Sequence, residues 1–196
     1  MQVFYTYDIF TKQVYGGISR YVMELSRHLP PDINPVIFAG LHINKYTRPK
    51  ETIGLRMPAL RYCTPLRENI SRLAQRFYTS LAPPDIYHRS YYGAPFSHGR
   101  QPVVVTVYDM IHERYPNFYK DGGKLSAAKH FDCTRADHII AISESTKLDL
   151  IEIFSIEPEK ISVIYLASTE FDTNLALREE LSVGRPYILF VGQRRG

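Results

Sequence analysis

Cysteine is scarce: the 196-residue chain has two, Cys63 and Cys133, 70 positions apart. With no second Cys near either, a disulfide framework is excluded and a reducing compartment fits, so the cytoplasm is the expected location. Long apolar runs are missing as well. No stretch approaches the ~20 residues that a membrane span needs. Met1 leads straight into Gln2-Val3-Phe4-Tyr5 without a basic flank, unlike a signal peptide. The chain has no G-x-G-x-x-G and no Gly-Lys-Ser/Thr, so the dinucleotide fingerprint and the P-loop are both excluded. No Ser-His-Asp or Cys-His set follows from spacing, and there is no internal repeat.

What is present is ordinary globular material, 44% hydrophobic and 22% charged, long enough to bury a core. The net charge of +4 is unevenly placed. Between His42 and Ser80 stand Lys45, Arg48, Lys50, Arg56, Arg61, Arg67, Arg72 and Arg76 against only Glu51 and Glu68. Such a local excess suits an anionic surface or ligand, or else a solvated basic face. No nucleic-acid partner is expected.

Strand and helix patterns alternate. Gln2 to Tyr7 reads as a strand, followed by a loop closing on Tyr15-Gly16-Gly17. Ile18, Tyr21, Val22, Leu25 and Leu29 at helical spacing predict a helix that Pro30-Pro31 ends. Asn34 to Gly40 reads as a strand, and Ile53, Leu55 and Met57 alternate as a short one. Leu66, Ile70, Leu73, Phe77 and Leu81 define a helix with a narrow apolar stripe, about 80° of arc, with Arg67, Arg72 and Arg76 outside it. Further strands are predicted at Asp85–His88, Pro102–Tyr108, His138–Ile142 and Ile161–Tyr165, the second of them buried on both faces. Helices follow Gly123 and Ser143, the latter serving as a cap. A loop joins Asp109 to Gly123. This pattern specifies an α/β fold, a Rossmann-like doubly wound parallel sheet.

In such sheets ligands bind beyond the carboxyl ends of the strands. Here those ends carry Tyr7-Asp8 leading to Gly16-Gly17, then Tyr108-Asp109, Ser143-Glu144-Ser145, and Tyr165 to Ser168. Gly16-Gly17 before a helix lets backbone N–H groups approach an anion at the positive end of the helix dipole, or makes a plain tight turn. Asp109 can accept a sugar hydroxyl or cap the loop after it. His88 and His112 lie near the same rim, as catalytic or structural histidines. Tyr91 and Tyr92 either stack on sugar faces or pack the core. Tyr187-Ile188-Leu189-Phe190-Val191-Gly192 reads as a buried strand entering the basic turn Gln193-Arg194-Arg195-Gly196, which suits a phosphate.

Four segments together carry a family resemblance: Gly16–Tyr21, Val104–Pro116, Ala136–Lys147 and Glu159–Tyr165, with Tyr187–Gly192 completing the order. The chain resembles the N-terminal domain of family 4 retaining glycosyltransferases of the GT-B fold, nearest the mannosyltransferase-like branch that builds bacterial surface polysaccharides. The resemblance implies two Rossmann-like domains facing each other across a cleft. Residues 1–182 are then the acceptor-side domain, and 183–196 the first strand and a truncated loop of the donor-binding domain.

It further implies a nucleotide-sugar donor such as GDP-mannose, from which a hexose moves with retention to a glycan or lipid-pyrophosphate-linked acceptor, with no metal. Gly16, Gly17, Ser143, Glu144 and Arg194 would face the donor, and Arg194 would neutralise the departing diphosphate. Tyr108, where many relatives have His, and Asp109 would stand at the transferred sugar. His88, Tyr91 and Tyr92 would face the acceptor. The cationic helix over 66–81 would rest on an anionic inner leaflet through residues 45–76, unless its stripe packs on the sheet. The fragment alone is expected to be inactive. The competing classes are a nucleotide-dependent epimerase or dehydrogenase, which the absent glycine fingerprint disfavours, and a non-catalytic binding or scaffold domain.

Overall fold

The chain forms seven strands, and in the computed structural model all of them lie parallel in one sheet. The structure describes residues 1–93, 99–119 and 122–167. The predicted strand at Tyr187–Val191, the turn with Arg194, Ser168 and the boundary at 182 lie outside them. The strands are β1 (Gln2–Tyr5), β2 (Asn34–His42), β3 (Thr52–Arg56), β4 (Ile86–Arg89), β5 (Val103–Val107), β6 (His138–Ala141) and β7 (Ile161–Val163). The helices are α1 (Asp8–Lys12), α2 (Gly17–Arg27), α3 (Thr64–Leu81), α4 (Ile111–Arg114), α5 (Gly122–Arg135) and α6 (Glu144–Phe154). None of the described helices is long and apolar enough to cross a membrane.

The sheet order is β3-β2-β1-β4-β5-β6-β7. The chain winds outward from β1 through β2 to β3, then returns past β1 and winds the other way. The reversal falls between β1 and β4, where open sheets of this kind leave their ligand crevice.

Strand alternation feeds two cores, one on each face. Val3, Tyr5, Ile37 and Ala39 pack with Ile9, Phe10 of α1 and Val22, Met23 of α2. Phe4, Phe38, Tyr87, Val103, Val105 and Val107 pack on the other face with Cys133, Ile139 and Leu150. Phe4 stacks on Phe38 at 5.8 Å and meets Tyr87 edge-on at 5.6 Å. A ring buried this deeply contributes about 2–3 kcal/mol, and Phe4→Ala would cost about 3–5 kcal/mol.

Several elements differ from the sequence expectation. β1 stops at Tyr5 because Thr6 to Asp8 turn directly into α1, five residues with no room for a visible period. α4 likewise occupies part of the expected loop after Asp109. For α3, whose stripe the sequence left with two readings, the structure decides between them. Its predicted stripe does not pack on the sheet: Ile70 is 42% exposed, Leu73 65% and Leu81 72%. The buried residues of this helix are Arg67, Ser71 and Gln75.

The reason is a seam of backbone groups needing partners. A bulge in β2 between Phe38 and Gly40 puts Gly40 at φ +61°, close under Ser71. Ser71 Oγ accepts from Leu41 N at 2.8 Å, and Gln75 Oε1 accepts from Tyr7 N at 3.4 Å. The Arg67 guanidinium donates to Thr11 O at 2.8 Å, to Arg61 O at 2.9 Å and to Leu60 O. Five polar demands outweigh one apolar stripe, and the helix faces the sheet with its polar side.

Candidate functional site

The carboxyl ends of β1, β4, β5 and β6 form one rim, as the parallel registers require. Beyond β1, α1 and a short loop lead to Gly16, the cap residue of α2. Gly16 has extended backbone (φ 177°) and offers no side-chain cap; its carbonyl accepts from Arg20 N at 3.1 Å and Ser19 Oγ at 3.0 Å. A Cβ on Gly16 would run into the amide end of Gln13, whereas one on Gly17 would meet nothing within 4 Å. The fold therefore does not itself require glycine at 17. The loop is fastened from β2's side, where Asn44 Nδ2 donates to Gln13 O at 2.9 Å and Lys45 N donates to Val14 O at 2.9 Å. The start of α2 is thereby held rigid, with uncapped amides at the positive end of its dipole.

One turn into α2, Tyr21 meets Tyr108 edge-on, with ring centroids 5.7 Å apart. This contact joins the glycine loop to the end of β5. Tyr108 is the first residue after β5, and its hydroxyl is buried with no hydrogen-bond partner. Burial pushes that hydroxyl's pKa well up, so it stays protonated. Asp109 is more open, its side chain 47% exposed. Its Oδ1 accepts from Ile111 N at 3.3 Å, so it caps the following turn while keeping half its surface for solvent.

Beneath Asp109 lies a pair that no sequence pattern marked. Lys129 of α5 is buried and donates to the Asp109 carbonyl at 2.8 Å and to Glu113 Oε2 at 2.8 Å. Glu113 is equally buried, its side chain 1% exposed. The pair ties α5 to the β5 end and sets the height of the Asp109 loop. A lone Lys between Ala128 and His130 gives no sequence signal of this.

The predicted acceptor residues separate. His88 is buried on β4, with Nε2 2.8 Å from Thr106 Oγ1 and its ring 5.1 Å from Tyr5. Burial lowers its pKa to about 4, and it has no face to offer a ligand. Tyr92 is also buried; its hydroxyl donates to Thr106 O at 3.2 Å and accepts from Tyr108 N at 3.3 Å. It is a strut for the rim. Tyr91 is half-buried, with its ring 4.7 Å from Tyr92 and under Lys12 Nζ at 5.4 Å. Exposed aromatics here include Tyr115 and Phe118, edge-to-face at 6.3 Å, in the turn after Asp109. His112 stacks on Tyr119 at 4.4 Å.

At the switch point itself the crevice floor is a closed polar network. Arg89 donates to Asp132 Oδ1 at 2.6 Å and to Asp8 Oδ1 at 3.1 Å, and Thr6 Oγ1 donates to Asp8 Oδ2 at 2.5 Å. All four are buried. Burial raises Asp132 to about 6, with Arg89 pulling the other way. These groups bond one another and support the rim from below. Ser143 caps α6, its Oγ accepting from Thr146 N at 3.1 Å, and Glu144 is exposed in the first turn. Both stand on the far side of β5 from the glycine loop, at the end of β6. Among the described residues no group of three His, Cys, Asp or Glu is placed to hold a metal ion.

The family model "Glycosyltransferase Family 4" matches residues 15–167, from the glycine loop through β7. No curated protein matches the chain. Among solved structures, the lipopolysaccharide outer core galactosyltransferase WaaB in its apo form is 14% identical, with a TM-score of 0.52 over 86% of this chain and 46% of that one. A glycosyltransferase from Rickettsia africae ESF-5 is 17% identical, with a TM-score of 0.49 over 84% of this chain and 42% of that one. The likeness to the first is one of fold, and this chain spans less than half the length of either structure. With a family model covering residues 15–167, from the glycine loop through six of the seven strands, the chain belongs to glycosyltransferase family 4.

Proposed function

We propose that this chain is the acceptor-side half of a transferase that moves a hexose, with mannose as the leading candidate, from a nucleotide sugar such as GDP-mannose to a glycan or lipid-linked acceptor, with retention. The reaction would belong to polysaccharide or O-antigen assembly in the cytoplasm. The observation that carries this reading is the rigid, uncapped start of α2, with open space over Gly17, fixed beside the end of β5 by the Tyr21–Tyr108 contact. Backbone amides at a helix N-terminus favour the diphosphate, and the charge that develops as the nucleotide leaves is where such donors act most. Arg194 is proposed to add a cation there, so that electrostatics alone serve the leaving group and no metal is required.

In this reading Asp109, half-exposed and held by Lys129, accepts a hydroxyl of the sugar in transit. Tyr115 and Phe118 present ring faces of the kind that stack on sugars and are proposed for the acceptor side, together with the half-buried Tyr91. His88 and Tyr92 shape the floor without touching substrate. Ser143 and Glu144 are proposed to meet the donor from the β6 side. Because the partner domain supplies most of the donor pocket in this scheme, the 196-residue chain alone should turn over nothing.

The test is a donor screen on the complete protein, read by product mass. Addition of one hexose to a glycan or lipid-linked acceptor supports the proposal. Reduction of NAD, or epimerisation of a nucleotide sugar without transfer, would replace it.

A further inference from the structure

We propose that His112 takes the proton of the attacking acceptor hydroxyl, with Asp109 holding its imidazole in place. The inference rests on the transfer reaction proposed above and names a base for it.

A sugar hydroxyl attacks best as its proton is drawn away by a positioned group. Several polar groups near the β5 end are ruled out by their surroundings. His88 is buried against Thr106 and Tyr5 and faces no ligand. Glu113 is closed off beside Lys129, at 2.8 Å. Tyr108 is buried and stays protonated.

His112 is placed otherwise. It lies in α4 with its ring centroid 4.4 Å from that of Tyr119, and its Nδ1 is 4.0 Å from Asp109 Oδ1. Among the described residues that Nδ1 is buried with no hydrogen-bond partner, while the side chain as a whole keeps 20% exposure. The inner nitrogen therefore faces the carboxylate, and the opposite edge of the ring, with Nε2, is turned to the rim. A carboxylate at Nδ1–H selects the tautomer whose Nε2 lone pair points outward. Contacts of this kind are often long in an unliganded site and tighten when substrate docks.

Asp109 can serve the ring and the sugar together, because its inward contacts fall on one oxygen. Oδ1 accepts from Ile111 N at 3.3 Å and faces His112 Nδ1 at 4.0 Å and Lys129 Nζ at 3.9 Å, which leaves Oδ2 for the sugar hydroxyl. The neighbouring charges are committed elsewhere: Glu113 holds Lys129, and Arg114 turns to Asp149 and Glu152 of α6. Tyr115 and Phe118, proposed for the acceptor, follow in the same turn. In the step itself the acceptor oxygen bonds the anomeric carbon on the face that the diphosphate leaves. The bond from that carbon to the diphosphate oxygen breaks with its electron pair, and the hydroxyl proton passes to Nε2. The imidazolium then returns it to solvent.

The experiment compares the complete wild-type protein with His112→Phe and His112→Ala, using GDP-mannose or the nucleotide sugar that the donor screen returns, with and without free imidazole. Phe keeps the packing on Tyr119, Ala leaves room for imidazole, and melting temperatures are read alongside. Both variants should lose about a hundredfold or more in kcat at an unchanged donor KM, and imidazole should restore about tenfold to the Ala variant and nothing to the Phe variant. A His112→Phe protein as fast as wild type assigns the proton to the departing diphosphate and overturns the proposal. So does a slow Ala variant that imidazole leaves unchanged, since the ring then only shapes the turn. A wild type that transfers no sugar to any acceptor overturns the reading of the whole chain, and this inference with it.

Discussion

Tyr21 and Tyr108 meet edge to face, ring planes at 85° and centroids 5.7 Å apart, and this pair binds the start of α2 to the end of β5. The Tyr108 hydroxyl gains nothing from the arrangement, being buried without a partner. Tyr108→Phe should therefore leave stability unchanged or raise it by about 1 kcal/mol, because an unsatisfied buried group is removed. Tyr21→Ala should cost about 2–4 kcal/mol through lost packing. Urea midpoints of the two variants check this, and a large loss for Tyr108→Phe would mean that its hydroxyl has a partner.

Glycines 17 and 40 should respond oppositely. A Cβ at Gly17 enters open space, so Gly17→Ala should change stability by less than about 0.5 kcal/mol. Gly40 sits at φ +61° with Ser71 Oγ only 2.4 Å from where a Cβ would lie, so Gly40→Ala should cost about 2–4 kcal/mol. Thermal unfolding of the two proteins side by side measures the contrast.

Lys129 and Glu113 should behave as a unit. Lys129→Met leaves a buried carboxylate uncompensated and should cost about 3–5 kcal/mol. Adding Glu113→Leu should recover most of that loss, since an apolar pair of similar volume replaces the ions. A double-mutant cycle in urea reads the coupling, and simple additivity would contradict it.

Stability should rise with pH between about 4 and 6.5. Burial lowers His42 and His88 to about 4, so across this window the unfolded chain binds more protons than the folded one. Asp132, raised to about 6, acts in the opposite sense because its folded form holds the proton longer. Two histidines against one carboxyl leave about one net proton, a slope of about 1.4 kcal/mol per pH unit. His88→Gln should flatten the slope nearly to zero in unfolding measurements from pH 4 to 6.5.

The sheet was legible in the sequence because apolar runs of the right length leave little alternative. Most strands have such a run, β3 showing only the alternation of Ile53 and Leu55, and Ser143 announces its helix by the cap it makes. Short elements such as α1 were not legible, since five residues cannot display a period. The orientation of α3 stayed open in the sequence for a deeper reason: its stripe obeys the helical repeat, but what turns the helix is a bulge in a strand 30 residues away. His88 and Tyr92 sit in rim segments yet fill the floor, because a residue at or beyond a strand's end can point inward as easily as toward a ligand. The Lys129–Glu113 and Arg89–Asp8–Asp132 contacts join residues between 16 and 81 positions apart, beyond the reach of any local pattern.

The most direct test is the rate of sugar transfer by the complete protein, wild type against Gly17→Val. If the start of α2 holds the donor diphosphate, kcat/KM should fall at least a hundredfold, about 2.7 kcal/mol of transition-state stabilisation, at an unchanged melting temperature. Equal rates for the two proteins would contradict the account, leaving Gly16-Gly17 as a turn with no part in the reaction.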